Sequence, residues 1–156
     1  MTELVWGRVE SPLGPLHVGV SRAGLARITF PSEPREHGEL GDDAVVAAVQ
    51  LQLEEYFAGE RREFTMPLDW SGARGFRLRA LEAMGRVPYG ETVTYSELAA
   101  RAGNPRAARA AGHACATNPI PIVLPCHRIV GRDDGLHGYA GGIRLKEQLL
   151  RLEGAL

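Results

Sequence analysis

Apolar and polar positions alternate along the first thirty residues, with the period of two that is typical of β-strands. Two segments rich in turn-forming residues interrupt the alternation, at Ser11-Pro12-Leu13-Gly14 and at Ala23-Gly24. The pattern is carried by Val5, Gly7 and Val9, then by Leu16, Val18 and Val20, then by Leu25 to Phe30. This pattern predicts an antiparallel meander.

From Asp42 the apolar period changes to that of a helix, and the helical pattern continues as far as Gly59. The apolar residues of this face are Val45, Val46, Val49, Leu53, Tyr56 and Phe57. A last strand is predicted from Arg62 to Met66. Together these elements predict a small α+β domain over residues 1–69.

The segment PLDWSGARG is typical of a linker, and the rest of the chain is predicted to be mostly helical. One amphipathic helix is marked by Phe76, Ala80, Met84 and Val87, and it ends at Pro88-Tyr89-Gly90. A final helix is predicted within GGIRLKEQLLRLEG and stops at Gly154. Residues 70–156 therefore form a second predicted domain.

Two short helices are predicted between the amphipathic helix and the final helix, and a glycine-containing turn joins them. Thr94, with Glu97 three positions later, fits a capping box for a helix over YSELAARA. Asn104 is a suitable N-cap for the next helix, and Pro105 suits its first position. The pair, at about 94–116, predicts a helix-turn-helix.

The second helix of this pair is unusually rich in alanine. Six of the twelve residues of PRAARAAGHACA are alanine, and its long polar side chains are Arg106, Arg109 and His113. Without context, such a helix is typical of close packing inside a protein. Small residues beside arginines also suit close approach to the minor groove, whose base code is degenerate. In that interpretation the helix binds duplex DNA without sequence preference.

Charge is distributed unevenly along the chain. The 156 residues are 44% hydrophobic and 24% charged, which is typical of a globular protein, and the net charge of −1 argues against a general nucleic-acid binder. However, residues 1–69 carry 6 Arg against 12 Asp and Glu, a net charge of −6, whereas residues 70–156 carry 11 Arg and 1 Lys against 7, a net charge of +5. Either the two regions neutralise each other, or the second region meets a polyanion.

Several features of the sequence favour a cytoplasmic protein with free thiols. Two cysteines are too few for a disulfide framework, and the N-terminus lacks the pattern of a signal peptide. No apolar run is long enough to span a bilayer, so no membrane association is expected. A reducing cytoplasm is therefore the expected location.

The segment PIPIVLPCHRIVG places Cys126 directly before His127 and Arg128. A nearby base and a positive charge lower the pKa of a thiol from about 8.5 toward neutrality, so Cys126 is the candidate nucleophile. Cys115 is better interpreted as a small buried hydrophobe. His113, Cys115, Cys126 and His127 could nominally supply four zinc ligands. Their spacing does not match common zinc sites, so no metal is expected.

Four segments closely resemble the O6-alkylguanine-DNA alkyltransferases, the single-use repair proteins for alkylated guanine. They are NPIPIVLPCHRIVG, YGETVTYSELA, GNPRAARAAG and GYAGGIRLKEQLLRLEG. The resemblance runs from about Phe76 to Gly154, with the motifs in family order. It implies a ribonuclease-H-like domain over 1–69 and a DNA-binding and alkyl-transfer domain over 70–156.

The resemblance also implies the activity, that of a suicidal methylated-DNA–protein-cysteine S-methyltransferase. Its expected partner is double-stranded DNA containing O6-alkylguanine, bound through the minor groove by a monomer. No cofactor is expected, because the thiolate itself accepts the alkyl group.

Catalytic roles follow from the resemblance residue by residue. Cys126 is implied as the nucleophile, His127 as a base that acts through a bound water, and Glu153 as the carboxylate that orients His127. Asn118 is expected to brace the Cys126 loop by backbone hydrogen bonds. Tyr95 is expected to donate a proton to N3 of the leaving guanine.

The remaining implied residues line the base pocket or contact DNA. The pocket residues are Pro121, Ile129, Tyr139, Ala140 and Lys146. For Lys146 a solvated surface lysine is the simpler interpretation, although Lys146, Leu150 and Glu153 share one face of the last helix. The DNA-binding residues are Arg106, Ala108, Arg109, Ala110, Gly112 and Arg128, of which Arg109 fills the space left by the extruded nucleotide.

Two other classes of function stay open. A non-enzymatic lesion sensor would resemble these proteins with the nucleophile replaced, and the presence of Cys126 argues against it. A cysteine hydrolase would need an oxyanion hole and a deacylating water, and nothing beyond the Cys-His pair indicates them.

Overall fold

The structure, a computed structural model, describes residues 3–33, 40–41, 43–132, 139 and 142–156. The chain divides into two compact units, Met1–Gly72 and Ala73–Leu156. The first contains β1 (Val5–Val9), β2 (Leu16–Ser21), β3 (Gly24–Thr29) and α1 (Ala44–Phe57). The second contains α2 (Gly75–Gly85), β4 (Val93–Thr94), α3 (Tyr95–Arg101), α4 (Ala108–Ala116), a 3₁₀ turn (Cys126–Arg128), β5 (Ile129–Val130) and α5 (Ile143–Leu152). The predicted α+β order is confirmed.

The three strands of the first unit form an antiparallel sheet in the order β1-β2-β3, which confirms the predicted meander. Its register places Val5 opposite Val20 and pairs Ser21 with Gly24 across a tight turn. Gly24 has a φ of 137°, and a Cβ there would collide with the carbonyl of Pro67. Only glycine allows the chain that follows α1 to run so close to this turn.

Helix α1 begins where the sequence pattern predicts. The Asp43 carboxylate caps it by accepting from the backbone N–H groups of Val45 (2.7 Å) and Val46 (3.2 Å). Its buried residues recur at helical spacing and pack toward the sheet; they are Val46, Val49, Leu53 and Tyr56. A Cβ on Gly7 of β1 would collide with Val46, so the missing side chain lets the helix lie close to the strand.

The strand predicted from Arg62 to Met66 is wrong. Gln52 of α1 uses its side-chain amide to pair with Thr65, accepting from the backbone N–H (2.9 Å) and donating to the hydroxyl (3.0 Å). This removes a backbone donor that a neighbouring strand would need. The chain reaches β3 only at Leu68, which forms a single bridge with Leu25.

Helices α2, α3 and α4 of the second unit pack through small side chains. Ala80, Ala102 and Ala114 are almost completely buried together, and Phe76 packs against them. Alanine methyl groups allow helix axes to approach closely, so part of the alanine-rich pattern reflects packing, as one interpretation of the sequence held. Among the described residues, no helix of the protein is both long and apolar enough to cross a membrane.

The helix-turn-helix differs from its prediction at the turn. Thr94 caps α3 by accepting from the Glu97 N–H (3.1 Å), as predicted. Helix α4, however, begins at Ala108 instead of Pro105. The Asn104 side chain accepts from the Arg106 N–H (3.1 Å), so Asn104 forms a local turn of its own and does not cap α4.

Two contacts within the second unit join elements that are distant in sequence. Strands β4 and β5 pair in parallel, with Val93 beside Ile129, so the start of α3 lies next to the segment that follows Cys126. Helix α5 packs against the 3₁₀ turn that contains Cys126. The final helix, the helix-turn-helix and the Cys126 segment therefore meet within one unit.

Candidate active site and DNA-binding helix

Asn118 holds both ends of the loop that precedes the candidate nucleophile. Its side-chain oxygen accepts from the Ile120 N–H (3.0 Å), and its amide donates to the Leu124 carbonyl (2.7 Å). The Leu124 N–H in turn donates to the Ile120 carbonyl (2.9 Å). Since Pro121 and Pro125 also fix their own φ angles, the backbone is constrained on every side before it reaches Cys126.

Ile122 lies within this loop in a strained conformation that the sequence did not indicate. Its φ is 76°, in the left-handed region that β-branched residues rarely adopt, and its side chain is buried. Such a conformation costs on the order of 1–3 kcal/mol and persists only where surrounding contacts enforce it. The Asn118 hydrogen bonds and the flanking prolines are those contacts.

Cys126 is the first residue of the 3₁₀ turn, and only 3% of it is exposed. Burial raises the pKa of its thiol to about 11, although hydrogen bonds from Asn118 and Tyr139 and the charge of Lys146 act in the opposite direction. The expectation of a lowered pKa is therefore wrong for the protein without substrate, because desolvation outweighs the neighbouring positive charge. The candidate nucleophile is therefore a neutral thiol.

His127 is completely buried and paired with a carboxylate. Its Nε2 lies 2.8 Å from Oε2 of Glu153. Burial lowers the pKa of His127, against the hydrogen bond and charge of Glu153, so the imidazole is neutral. Because an ionised carboxylate can only accept, Nε2 carries the proton and Nδ1 is left as the basic atom. Nδ1 has no hydrogen-bond partner among the described residues.

Arg128 was predicted to bind DNA, but it is buried and so does not lie on an exposed DNA-binding surface. It is 5% exposed, and its guanidinium donates to both oxygens of Glu153 (2.8 and 2.9 Å) and to the Val87 carbonyl (2.6 Å). It also lies 5.7 Å from the centre of the Tyr89 ring. The sequence carried no signal for Val87 or Tyr89, since their role depends on the fold.

The carboxylate of Glu153 thus has two cationic or proton-donating neighbours. Burial alone would raise its pKa, but hydrogen bonds from His127 and Arg128, together with the charge of Arg128, lower the pKa of Glu153 to about 2. Glu153 is ionised at any physiological pH. It lies at the C-terminal end of α5, directly before Gly154, where the predicted helix stops.

Lys146 is buried, so its interpretation as a solvated surface lysine is wrong. Only 1% of it is exposed, and its ammonium donates to the Ile129 carbonyl at 2.6 Å. It lies 5.8 Å from the ring centre of Tyr95. Burial lowers the pKa of Lys146, and the nearby thiols Cys115 and Cys126 act in the opposite direction.

Tyr95 opens α3 beside this lysine and is half-buried. Burial raises the pKa of Tyr95 to about 12, and the two neighbouring thiols add to the effect. Its hydroxyl is therefore protonated. A Cβ on Gly112 of α4 would lie 3.9 Å from the Tyr95 ring, so the alanine-rich helix passes close to it.

The structure describes three of the other four predicted pocket residues. Pro121, Ile129 and Tyr139 are buried, while Ala140 lies outside the described residues. Cys115, on α4, is buried as predicted, and burial raises its pKa. Among the described residues, no group of three or more His, Cys, Asp or Glu side chains could hold a metal ion.

The predicted DNA-binding residues on α4 and just before it differ in their exposure to solvent. Arg106, just before the helix, and Arg109 and Ala110 on it are exposed, whereas Ala108 and Gly112 are half-buried. Ala111 and Ala114 face inward. The exposed side of α4 thus combines small residues with Arg109, and Arg106 lies just before the helix.

Two family models match almost the whole chain. Residues 4–70 match the 6-O-methylguanine DNA methyltransferase ribonuclease-like domain, and residues 75–155 match the DNA binding domain of the same family. The chain belongs to the 6-O-methylguanine DNA methyltransferase family. The expected family and its ribonuclease-like N-terminal fold are confirmed.

Individual members of this methyltransferase family agree with the match. The methylated-DNA–protein-cysteine methyltransferase of Mycobacterium leprae is 42% identical over 93% of this chain and 89% of its own length. That of Methanosarcina acetivorans is 41% identical over 94% and 96%. The crystal structure of Mycobacterium tuberculosis O6-methylguanine methyltransferase has a TM-score of 0.85 at 38% identity and covers 97% of this chain and 93% of that one. A structure of the Mycobacterium tuberculosis OGT in complex with DNA also has a TM-score of 0.85, at 39% identity over 96% and 92%.

Proposed function

We propose that this protein repairs O6-alkylguanine in duplex DNA by transferring the alkyl group from O6 to Sγ of Cys126. Family membership supports the reaction class. The observation that carries the assignment to Cys126 is its position next to the buried His127–Glu153 pair (2.8 Å), at the end of a loop clamped by Asn118. No cofactor takes part, because sulfur is the acceptor.

The thiol is activated by His127. A water bridging Sγ and Nδ1 would give Nδ1 its missing partner and carry the thiol proton to it. Glu153, held ionised by Arg128, accepts from Nε2 and stabilises the imidazolium that forms. The expected roles of Cys126, His127 and Glu153 are thus chemically consistent, and Arg128 joins them as a residue that positions Glu153.

The transfer itself forms an S–C bond as the C–O6 bond breaks, and guanine leaves. Tyr95 donates its hydroxyl proton to N3 of the base, so that the leaving group is neutral. The resulting phenolate lies near the Lys146 ammonium, whose burial makes it a ready proton donor. Pro121, Ile129 and Tyr139 line the pocket in this proposal, together with Ala140.

Residues 70–156 bind DNA in this proposal, and residues 1–69 form the separate ribonuclease-like domain. Helix α4 enters the minor groove without sequence preference, with Ala108, Ala110 and Gly112 against the duplex. Arg109 fills the space of the flipped nucleotide, and Arg106 contacts the backbone. The protein acts in the cytoplasm as a monomer. A lesion sensor is the alternative, and it is disfavoured because Cys126 is present.

The test is a comparison of the two cysteines. Incubation with duplex DNA carrying labelled O6-methylguanine should label native protein at Cys126, and the label should be absent from Cys126→Ala although that variant still binds the duplex. The matched control Cys115→Ala removes the other thiol and should still be labelled. Transfer to Cys126→Ala, or a label mapped elsewhere, would contradict the assignment.

A further inference from the structure

We propose that His113 is a DNA contact whose charge makes the affinity of the protein for duplex DNA depend on pH. The inference rests on the proposed function, since it takes α4 as the helix that lies against DNA. His113 has no role in the alkyl-transfer chemistry described above. It is one of only three long polar side chains between Pro105 and Ala116.

The position of His113 on α4 is that of a contact residue. Ala111, Ala114 and Cys115 form the buried side of the helix, while Arg109, Ala110, His113 and Ala116 are exposed. His113 follows Arg109 by four residues and Ala110 by three, which places all three on one stripe. Small residues flank the imidazole on this stripe, so it projects beyond them toward whatever α4 contacts.

Within the part of the chain that the structure describes, the imidazole of His113 is not engaged. Only its backbone is used: the His113 carbonyl accepts from the N–H (2.9 Å) and the hydroxyl (2.8 Å) of Thr117. The side chain makes no hydrogen bond or ion pair with any described residue. It is therefore available to an external partner without breaking an internal contact.

Charged groups around His113 favour an anionic partner. Helix α4 packs against α2 and α3, whose described charged residues are Arg77, Arg79 and Glu82, and Glu97 and Arg101. Arg101 is paired with Glu97 (2.8 Å). Arg77 donates to the Thr117 carbonyl (2.7 Å), so one arginine lies at the C-terminal end of the stripe and Arg109 lies on its other side. The charged side chains on both sides of His113 are therefore arginines, which favour a polyanion.

Histidine is the side chain whose charge ordinarily changes between about pH 5 and 8. Narrow grooves of DNA have a strongly negative potential that attracts inserted cationic side chains, histidine included. A protonated His113 would therefore neutralise about one further phosphate charge and release its counterion. Lowering the pH should strengthen binding through this one residue.

The experiment measures binding of the full chain to an undamaged duplex at several salt concentrations, at pH 6.0 and pH 8.0. For native protein, the slope of log Kd against log salt should be steeper at pH 6.0 by about 0.9, the value for one added charge. His113→Gln should show the same slope at both values of pH. His113→Arg should show the steep slope at both, because arginine is always charged.

Two further variants serve as controls. His17→Gln removes a histidine from the first unit and should retain the native pH dependence. Arg109→Ala should lower the slope at both values of pH and leave the difference between them unchanged. The inference is overturned if native protein shows no difference in slope, or if the difference persists in His113→Gln.

Transfer of the methyl group to Cys126, measured in the same preparations, separates this inference from the proposed function. Normal transfer with pH-independent DNA binding overturns the role of His113 alone. Absence of both transfer and duplex binding overturns the proposed function and the inference with it.

Discussion

In the proposed reaction, the chemistry begins with the proton on Cys126. Burial raises the pKa of the thiol to about 11 and lowers the pKa of His127, so the two groups are neutral at rest and do not form an ion pair. At pH 7 only about one thiol in 10⁴ is ionised. If Cys126 is the acceptor, as proposed, its thiol therefore has to lose its proton before it attacks the alkyl carbon.

Glu153→Gln tests this arrangement. Glutamine can donate to Nε2 of His127, which would favour the tautomer that lacks a basic Nδ1. The single-turnover rate at neutral pH should fall on the order of 10²–10⁴-fold. Since the pKa of the thiol is about 11, the thiolate fraction rises tenfold per pH unit below that value, and the rate of the variant should rise with it between pH 7 and 9.5.

Glu147→Gln is the matched control for this variant. Glu147 lies on the same helix, but it is only half-buried and is paired with Arg151 (2.8 Å), so its loss should leave the rate and its pH profile unchanged. A loss in Glu153→Gln that is equally large at every pH would instead indicate that Glu153 only supports the fold, through Arg128.

The residue scale is also where the sequence was least informative. The Cys-His pair could be predicted from its adjacent residues, and Glu153 from the family resemblance. Arg128 and Lys146 could not, since a buried charge depends on a partner supplied by the fold: Glu153, 25 residues from Arg128, and the Ile129 carbonyl. The strain at Ile122 has no sequence signal either, because the contacts that enforce it are made by Asn118 and the loop itself.

At the scale of elements, α2 carries two arginines that satisfy the ends of the helix-turn-helix. Arg79 donates to the Ala102 carbonyl at the end of α3 (3.0 Å), and Arg77 donates to the carbonyl (2.7 Å) and hydroxyl (3.1 Å) of Thr117 at the end of α4. Terminal carbonyls of helices otherwise lack protein partners, and cations stabilise that end of the helix dipole. The two helices are thus held to α2 by charge as well as by alanine packing.

Arg77→Ala should therefore destabilise the protein measurably. Loss of two exposed hydrogen bonds to the end of α4 is expected to lower the free energy of unfolding by about 1–2 kcal/mol. For a chain of this size the Tm should fall by roughly 2–8 °C. Thermal unfolding followed by circular dichroism measures this. Arg86→Ala is the control, because the Arg86 side chain contacts no described residue through a hydrogen bond or ion pair. Equal Tm values for the two variants would show that the hydrogen bonds from Arg77 to Thr117 contribute nothing to stability.

Elements were predicted well where a local signal exists. The meander, α1 and the last helix follow from apolar periodicity with turn residues or caps at their ends. The strand over 62–66 failed because Gln52, distant in sequence, pairs with Thr65 and removes a backbone donor from strand pairing. The predicted start of α4 was three residues too early, because Asn104 can either cap a helix or form a turn of its own. The sequence alone does not distinguish these two roles.

At the scale of the whole molecule, the two structural units carry net charges of opposite sign. Residues 70–72 are uncharged, so the unit Met1–Gly72 carries the net charge of −6 and Ala73–Leu156 carries +5. A nearly neutral total therefore does not describe either unit. The positive unit is the one that matches the family's DNA binding domain, so the field of the protein favours approach of DNA from that unit.

The whole molecule should also work only once. Attack of Cys126 on an alkyl carbon yields a thioether, which has no carbonyl for water to attack, so the hydrolytic half of ordinary covalent catalysis is closed. Transfer onward to Cys115 would only exchange one thioether for another. With lesion-containing DNA in excess, the plateau of alkyl transfer should equal the amount of active protein at every protein concentration, with no slow turnover afterward. A plateau that rises past one alkyl group per protein would favour a hydrolase, and a plateau of zero with tight lesion binding would favour the sensor.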